Sequence, residues 1–464
     1  MPPHPADSQE FDVAIIGAGV VGCAMARRFT LDGARVVVLE KAADVLDGAS
    51  KANSAILHTG FDAPPGSVEQ KCIADGHREY LEIHEGLGLP LLKTGALVLA
   101  WDGEQLAALA GLVAKARENG VDDVEVLTRA EIMKREPHLA STVMGGFWVP
   151  REYLIDPWAS AHAYLLQAIA NGAVLHRKSE VIEGRHDGAF WHLTTPNGII
   201  RSRQVINCAG LYGDIVDQRL LGQSSFTIKP RKGQFVVYDK PASALTSAVI
   251  LPVPSKTTKG VVIFRTIFGN LAVGPTAEEQ TSRTNASTDK VMLEDLHAKG
   301  VAMLPELGNY EITTTYAGLR PATEFQDYQI TTDAARNYIT VGGIRSTGLS
   351  AALGIARYVA SLNSITPLGK PIKSPKMPPP DRLSNYHPRD WETPDHGGII
   401  CHCEMVTKRE ILAALDGPMP PATLQGLKRR TRVCMGRCQG FYCTGPLSEL
   451  TEGRLDPPIG ERDE

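Results

Sequence analysis

The sequence has no apolar run near the roughly 20 residues that a membrane-spanning helix needs, and neither charge dominates it. A net charge of −4 over 464 residues argues against a nucleic-acid surface or a basic membrane anchor. The stretch Met1 to Glu10 is polar and contains proline, without the apolar core of a signal peptide. The expected location is therefore cytoplasmic, with any membrane association peripheral and made through a partner. Cysteine is scarce over most of the length: of eight, only Cys23, Cys72 and Cys208 are scattered, while Cys401, Cys403, Cys434, Cys438 and Cys443 crowd together late in the chain. Where thiols stay reduced, such crowding reads as a metal site before it reads as disulfides.

What is present is an ordinary globular mixture, 43% hydrophobic and 22% charged, long enough for one large two-part domain and a small appendage. Val13 to Ile16, a glycine turn, a helical stretch from Val20 to Leu31 and a second apolar run from Val36 to Leu39 form a βαβ unit at the start of a parallel sheet. Helical patterns follow at Glu104 to Arg117 and Trp158 to Ala170, and strand-like ones at Phe235 to Tyr238, Val261 to Phe264 and Leu271 to Val273. The expected fold is α/β, a Rossmann-like nucleotide-binding domain interleaved with a mixed-sheet substrate domain over residues 11–365. Pro367 to Pro394, with eight prolines, reads as a linker or surface strap (366–396). A small helical, cysteine-rich domain follows at 397–450, and from Asp456 on the chain reads as a disordered tail.

Gly17-Ala18-Gly19-Val20-Val21-Gly22 has the G-x-G-x-x-G spacing. Gly17 permits the tight turn, Gly19 lets backbone approach a pyrophosphate, and Gly22 lets helix pack on strand. Unpaired N–H groups at the helix start favour the anion. Glu40, closing the second strand, is positioned for ribose hydroxyls and argues against a 2′-phosphate. The fingerprint alone does not separate FAD from NAD. Only one complete copy occurs, and two further elements are suited to a flavin. Val205 to Gly210 is a strand ending in Ala209-Gly210, where backbone can pass close to a cofactor. Val341 to Ser350 is a strand–glycine–helix element whose N–H groups can face the electron-rich edge of a flavin.

Asp12 to Lys41, Asn53 to Gly60, Cys208-Ala209-Gly210, Gly318-Leu319-Arg320-Pro321 and Gly342 to Gly348 together resemble the FAD-dependent D-amino-acid oxidase/glycine oxidase superfamily. The likeness is greatest to its branch of glycerol-3-phosphate and L-2-hydroxyglutarate dehydrogenases. The resemblance implies a bound FAD with substrate stacked on it. The expected cofactor contacts are Gly17, Gly19, Gly22, Glu40, Lys51, Ser54, Ala209, Gly210, Gly343, Thr347, Gly348 and Leu349, with Lys51 equally readable as a solvated loop lysine. By the same resemblance Arg320 holds the substrate anion, as a guanidinium can bind carboxylate or phosphate through two hydrogen bonds. Arg265 is a second candidate for that role. His58, in a run that the family sets against the flavin, is suited to take a hydroxyl proton near neutral pH; the alternative is a core histidine. Gly274 to Glu278 resembles an active-site segment of the glycerol-3-phosphate branch and is given no chemistry.

Cys401-His402-Cys403 and Cys438 to Cys443 supply C-x-C and C-x4-C thiol pairs, the donor set of a tetrathiolate site. The spacing and its basic surroundings resemble a bacterioferritin-associated-ferredoxin-like [2Fe–2S] domain, in the version fused to FAD-dependent glycerol-3-phosphate dehydrogenases. The resemblance implies Cys401, Cys403, Cys438 and Cys443 as ligands, leaving Cys434 as a spare able to compete. A structural zinc is the alternative, although zinc sites usually favour wider C-x2-C pairs. Lys428 to Arg432 is expected to offset the negative charge of the cluster. The function expected is dehydrogenation of a small anionic alcohol, with electrons exported through the cluster to an acceptor protein or quinone-linked partner. The alternatives are an amine or amino-acid dehydrogenase and an electron-transfer subunit without its own substrate site.

Overall fold

The computed structural model describes residues 10–254, 260–363, 368–378, 383 and 386–461. Two sheets share the chain. The first, eight-stranded, has a parallel centre: β1 (Glu10–Ile16) lies between β2 (Val36–Leu39) and β4 (Gly198–Asn207), with β3 (Val174–His176) beyond β2 and β7 (Tyr338–Gly342) beyond the end of β4. Strands β1 and β2 are runs of Val, Ile and Leu buried on both faces, as parallel strands covered by helices require. Helix α1 (Val20–Leu31) crosses over between them. The helical patterns read from the sequence match the observed helices to within a residue or two, while the strands read from Phe235 and Val205 begin six and seven residues earlier, at Lys229 and Gly198.

The second sheet is mixed and nine-stranded, drawn from residues 96–149, 229–279 and 312–322. Its longest ladder pairs β5 (Lys229–Tyr238) antiparallel with β6 (Ile312–Ala322), setting Arg231 opposite Arg320 and Gly233 opposite Gly318. The chain passes back and forth between the sheets, so neither is continuous in sequence. Helix α3 (Ala159–Ala170) packs on α1, and so does α4 (Gly348–Ser361).

Helix α2 (Val68–Ile83) meets α4 backbone to backbone. A Cβ on Gly76 would stand 2.2 Å from the Ser350 carbonyl, and one on Gly354 2.0 Å from that of Cys72. The strap lies along α1 and α3. Ile372 donates to the Leu31 carbonyl at 2.8 Å, and Lys376 exchanges hydrogen bonds with Asn171. The last unit is a two-stranded hairpin (Ile399–Cys401, Val406–Thr407) with helices at Lys408–Asp416, at Leu424–Thr431 (α5) and at Thr444–Leu450, closed over its own apolar core. Asp456 is not part of a loose tail: its N–H donates to the Ala422 carbonyl at 2.8 Å and its carboxylate meets Lys178 at 2.5 Å. The buried Leu455 beside it supplies the apolar anchor that the polar sequence around it conceals.

Two glycine substitutions are expected to act with opposite sign. Gly354→Ala forces α2 and α4 apart and destabilises by about 1–3 kcal/mol. Gly111→Ala, in the helix Gly103–Glu118 with open space around the new methyl, stabilises by about 0.5–1 kcal/mol. Urea denaturation followed by circular dichroism reads both, and equal midpoints would refute the close-packing account.

Candidate active site

A cleft of about 510 Å³ opens between the sheets. At its floor Gly17 has φ +102°, and a Cβ there would stand 2.7 Å from the Cys208 carbonyl; only glycine meets both demands. Gly19 faces the Ser50 hydroxyl, which accepts from the Val20 N–H at 2.9 Å. Glu40 turns its carboxylate into the same turn, accepting from the N–H groups of Ala18 (2.7 Å) and Ala42 (2.8 Å). Burial pushes that carboxyl above its ordinary pKa in spite of both donors.

Gly17, Gly19 and Glu40 line the cleft, as do Lys51, Ser54, Ala209, Gly210, Gly348 and Leu349. Gly22, Gly343 and Thr347 do not. A Cβ on Gly22 would sit 1.9 Å from the Gly17 carbonyl, so its place is in helix–turn packing. Gly343 turns against Gln329 and Asp327. The Thr347 hydroxyl points inward, donating to Glu69 at 2.7 Å and meeting the Tyr328 hydroxyl at 2.6 Å. Helices α1 and α4 thus both begin at the cleft, and neither start is capped by its own N-cap side chain. With the Val20 N–H taken by Ser50, the other first-turn N–H groups and the dipoles of the two helices make that wall attractive to anions.

Arg320, on β6, lines the cleft. Its Nη2 donates to the Thr276 carbonyl, and Gly233 leaves room for the guanidinium, since a Cβ there would touch Nη2 at 2.4 Å. Burial, with Arg231 nearby, pushes its pKa down to about 10, so it keeps its charge at neutral pH in a setting that calls for an anion. Strand β6 leans on the segment leading to His58: the Tyr316 hydroxyl donates to the Asn53 carbonyl at 2.9 Å.

The His58 N–H donates to the Ser350 hydroxyl at 2.8 Å, tying it to the start of α4. Its Nδ1 lies 2.8 Å from Glu152 Oε2, and the ring keeps 22% of its surface exposed while Glu152 has none. Glu152 Oε1 accepts from the N–H (2.6 Å) and the hydroxyl (2.7 Å) of Thr59. Burial opposes ionisation of Glu152, but His58 and the Thr59 donors outweigh it and hold the carboxyl below its ordinary range. Glu152 was missed in the sequence because a single acid after an apolar run carries no pattern. Arg265 ends the strand Val262–Arg265 away from the cleft wall, with its Nε buried and without a hydrogen-bond partner among the described residues.

All five late cysteines come together. Cys434 Sγ lies 3.3 Å from Cys443 Sγ; Cys403 and Cys438 hydrogen-bond each other, as do Cys401 and Cys443. Cys438 also accepts from the N–H groups of Tyr442, Gly440 and Phe441, which draws its thiol pKa down. Cys443 is thus shared between Cys401 and Cys434, and among the described residues no three His, Cys, Asp or Glu side chains form a group able to hold one metal ion. Cys434, expected as a spare, is within the group, on a backbone with φ +61°.

The basic run is split. Arg429 and Arg430 turn away from the thiols to Val45 and Asp44, since the carboxylate of Asp44 and the Val45 carbonyl lie on that side of the helix; only Lys428 acts on Cys434. Arg432 pairs with Glu404 at 2.9 Å and lies 3.8 Å over the Phe268 ring. Phe268 stacks on Trp158 at 5.8 Å and 15°, and Trp158 Nε1 donates to the carbonyl of Lys51 in the cleft wall at 3.0 Å.

Residues 12–362 match the family described as FAD dependent oxidoreductase (DAO). The chain is 34% identical to a glycerol 3-phosphate dehydrogenase from Caloramator mitchellensis over 97% of its own length and 96% of that protein's. It is 28% identical to the glycerol 3-phosphate oxidase of Mycoplasma pneumoniae over 76% of its length and 94% of the oxidase. The solved structure of dithionite-reduced L-alpha-glycerophosphate oxidase from Mycoplasma pneumoniae with FAD bound superimposes with a TM-score of 0.73 and 26% identity, covering 78% of this chain and 97% of that one. No described helix is long and apolar enough to cross a membrane. With a glycine turn, a buried acid and two helix starts meeting at one cleft, the chain is an FAD-dependent oxidoreductase and belongs to the DAO family.

Proposed function

We propose that the chain is a dehydrogenase of a small anionic alcohol, of the class of glycerol 3-phosphate or a 2-hydroxy acid, that passes electrons to a [2Fe–2S] cluster on its C-terminal cysteines. The observation that carries the reading is Arg320, a half-buried cation in the cleft whose one hydrogen bond among the described residues goes to a backbone carbonyl, with no acid paired to it. It binds the phosphate or carboxylate of the substrate through its free donors. Gly17, Gly19, Glu40 and the starts of α1 and α4 hold the cofactor. Bound FAD supplies the hydride acceptor. His58 stands behind the residues that line the cleft; with Nδ1 directed at the Glu152 carboxylate, it keeps Nε2 for the role of the base that takes the hydroxyl proton, and the buried carboxylate stabilises the imidazolium that results.

Cys401, Cys403, Cys438 and Cys443 provide the thiolates. A two-iron cluster takes thiolates as two pairs, whereas a single zinc needs all four at one point and usually uses wider C-x2-C spacing, so the C-x-C pair of Cys401 and Cys403 favours the former. The cluster supplies a one-electron carrier, passing electrons to a partner protein or a quinone-linked acceptor. Two further observations support export by this route. The Arg432–Phe268–Trp158 stack leads from the cysteine loops to the cleft wall without a gap. The alignment with the Caloramator dehydrogenase leaves too little of the chain unmatched, at 97% coverage, to omit the cysteine segment.

Purified anaerobically, the chain is expected to show a flavin band bleached by glycerol 3-phosphate or by a 2-hydroxy acid but not by proline or sarcosine; bleaching by the amines instead would move the reading to an amine dehydrogenase. Arg320→Met is expected to raise KM for the anion about ten- to a hundredfold. Turnover untouched by that change would point to an electron-transfer subunit. His58→Asn is expected to lower kcat by about 10²–10⁴ with FAD content unchanged.

Iron and sulfide analysis is expected to give about two of each per chain, lost in Cys438→Ser and kept in Cys434→Ser. Zinc in their place would remove the cluster and the export route.

A further inference from the structure

We propose that helix α5 is a working part of the cofactor site: Arg429 and Arg430 clasp the outer face of the cleft wall and set how tightly FAD is kept. The inference rests on FAD occupying the cleft. The wall is the segment from Glu40 to Asn53, whose Glu40, Lys41, Asp47 and Ser50 face the cavity. Apart from a short turn at Ala49–Lys51 it has no regular structure, and Leu46 is held at φ +60°, in the left-handed region. Such a segment has little of its own to fix it.

Its front edge is held by backbone bonds such as Leu46 N–H to the Ala18 carbonyl at 3.0 Å, and Arg177 stands 3.9 Å from Asp44; the rest of what fixes it comes from nearly four hundred residues away in sequence (|i−j| = 386). Arg430 makes a two-pronged pair with Asp44, Nη2 to Oδ1 at 2.8 Å and Nη1 to Oδ2 at 3.0 Å, with side chains only 4% and 1% exposed. The remaining Arg430 donors reach the carbonyls of Met419 and Gly426. Asp44 also accepts from the Ala422 N–H at 3.2 Å. The approach is so close that a Cβ on Gly426 would stand 1.7 Å from Asp44 Oδ2. One turn along, Arg429 donates to the Val45 carbonyl at 3.1 Å and reaches Asp47, a cleft residue, at 3.7 Å. The back of the wall is thus held at Asp44, Val45 and Asp47, and the front carries Glu40 and Ser50.

Removing one member of a buried, fully hydrogen-bonded pair leaves the other charge uncompensated, so the wall shifts and the cofactor loses a preformed surface. Linkage requires the reverse as well: FAD that favours the ordered wall also favours docked α5.

The test titrates FAD into full-length apoprotein and follows quenching of free-flavin fluorescence. Arg430→Met and Asp44→Asn are each expected to weaken binding on the order of tenfold. The double variant is expected to be no weaker than the worse single one, because both break one contact. Hydrogen exchange supplies the reciprocal readout, with slower amide exchange in α5 when FAD is added to the wild type. Should Arg430→Met fail to fold, Asp44→Asn and Arg429→Met carry the test. Folded variants that bind FAD as the wild type does, or α5 exchange indifferent to FAD, overturn the clasp alone. A wild-type chain that takes up no FAD overturns the flavin reading and the clasp with it.

Discussion

Helix α4 can aim its first turn into the cleft only because backbone meets backbone at Gly76 and Gly354. The contacts leave no room for a methyl group on either helix. With α2 and α4 locked at this separation, the Ser350 hydroxyl reaches across to both the Ile56 carbonyl and the His58 N–H. The Thr347 hydroxyl is likewise turned in to Glu69 of α2. One steric condition therefore sets a helix terminus, the backbone of the base and the polar floor beneath it. A looser crossing would leave the same residues in the sequence and scatter them in space, since interiors packed to crystal density transmit such shifts instead of absorbing them.

Charge is distributed over this frame with a clear division. The group proposed to bind the substrate anion, Arg320, is a cation without an acid paired to it among the described residues. The group proposed to handle the proton is the reverse, an imidazole backed by a carboxylate that the N–H and hydroxyl of Thr59 already hold. Were Glu152 in contact with Arg320, each would neutralise the other, and neither anion binding nor orientation of the imidazole would remain. Keeping them on different elements, β6 for Arg320 and the turn after Val149 for Glu152, preserves both roles. Glu278 is the acid nearest in influence to Arg320, and it is occupied by the Thr276 hydroxyl at 2.5 Å and Gln234 at 2.8 Å.

The nucleotide half was legible in the sequence because its demands are local. A positive φ at Gly17, a close approach at Gly22 and an acid closing the second strand all fall within one βαβ unit, where spacing alone reveals them. Gly343, Thr347, Gly348 and Leu349 were all read as cofactor contacts from the strand–glycine–helix element; the register of α4 sets Gly348 and Leu349 in the cleft lining and leaves Gly343 and Thr347 behind it. Contacts made over long sequence separations left no such trace. Glu152 is 94 residues from His58, and Asp44 is 386 from Arg430. A periodicity cannot encode either, and both acids stand in stretches that look solvated. The basic run around Arg430 was visible, but its direction was not, because an arginine near cysteines reads equally well toward thiolates or away from them.

The split of that run gives the C-terminal unit two contacts of different kinds. Arg430 joins it to the wall of the cleft through a buried, directional pair with Asp44, where loss of one partner costs about 3–5 kcal/mol, and Arg429 adds a hydrogen bond to the Val45 carbonyl. Arg432, two residues on, joins it through a ring face: its guanidinium lies on Phe268 while Glu404, beside Cys403, holds the Nε side. A planar cation can stack and hydrogen-bond in its plane at the same time, which an ammonium cannot. The αL backbone of Arg432 (φ +67°) ends α5 and turns the chain into the cysteine loop in the same step. A single helix end therefore fixes the cleft wall, the aromatic stack and the start of the thiol cluster together. A displacement of α5 would move all three at once, so geometry at the thiols and geometry at the flavin wall are not independent properties of this chain.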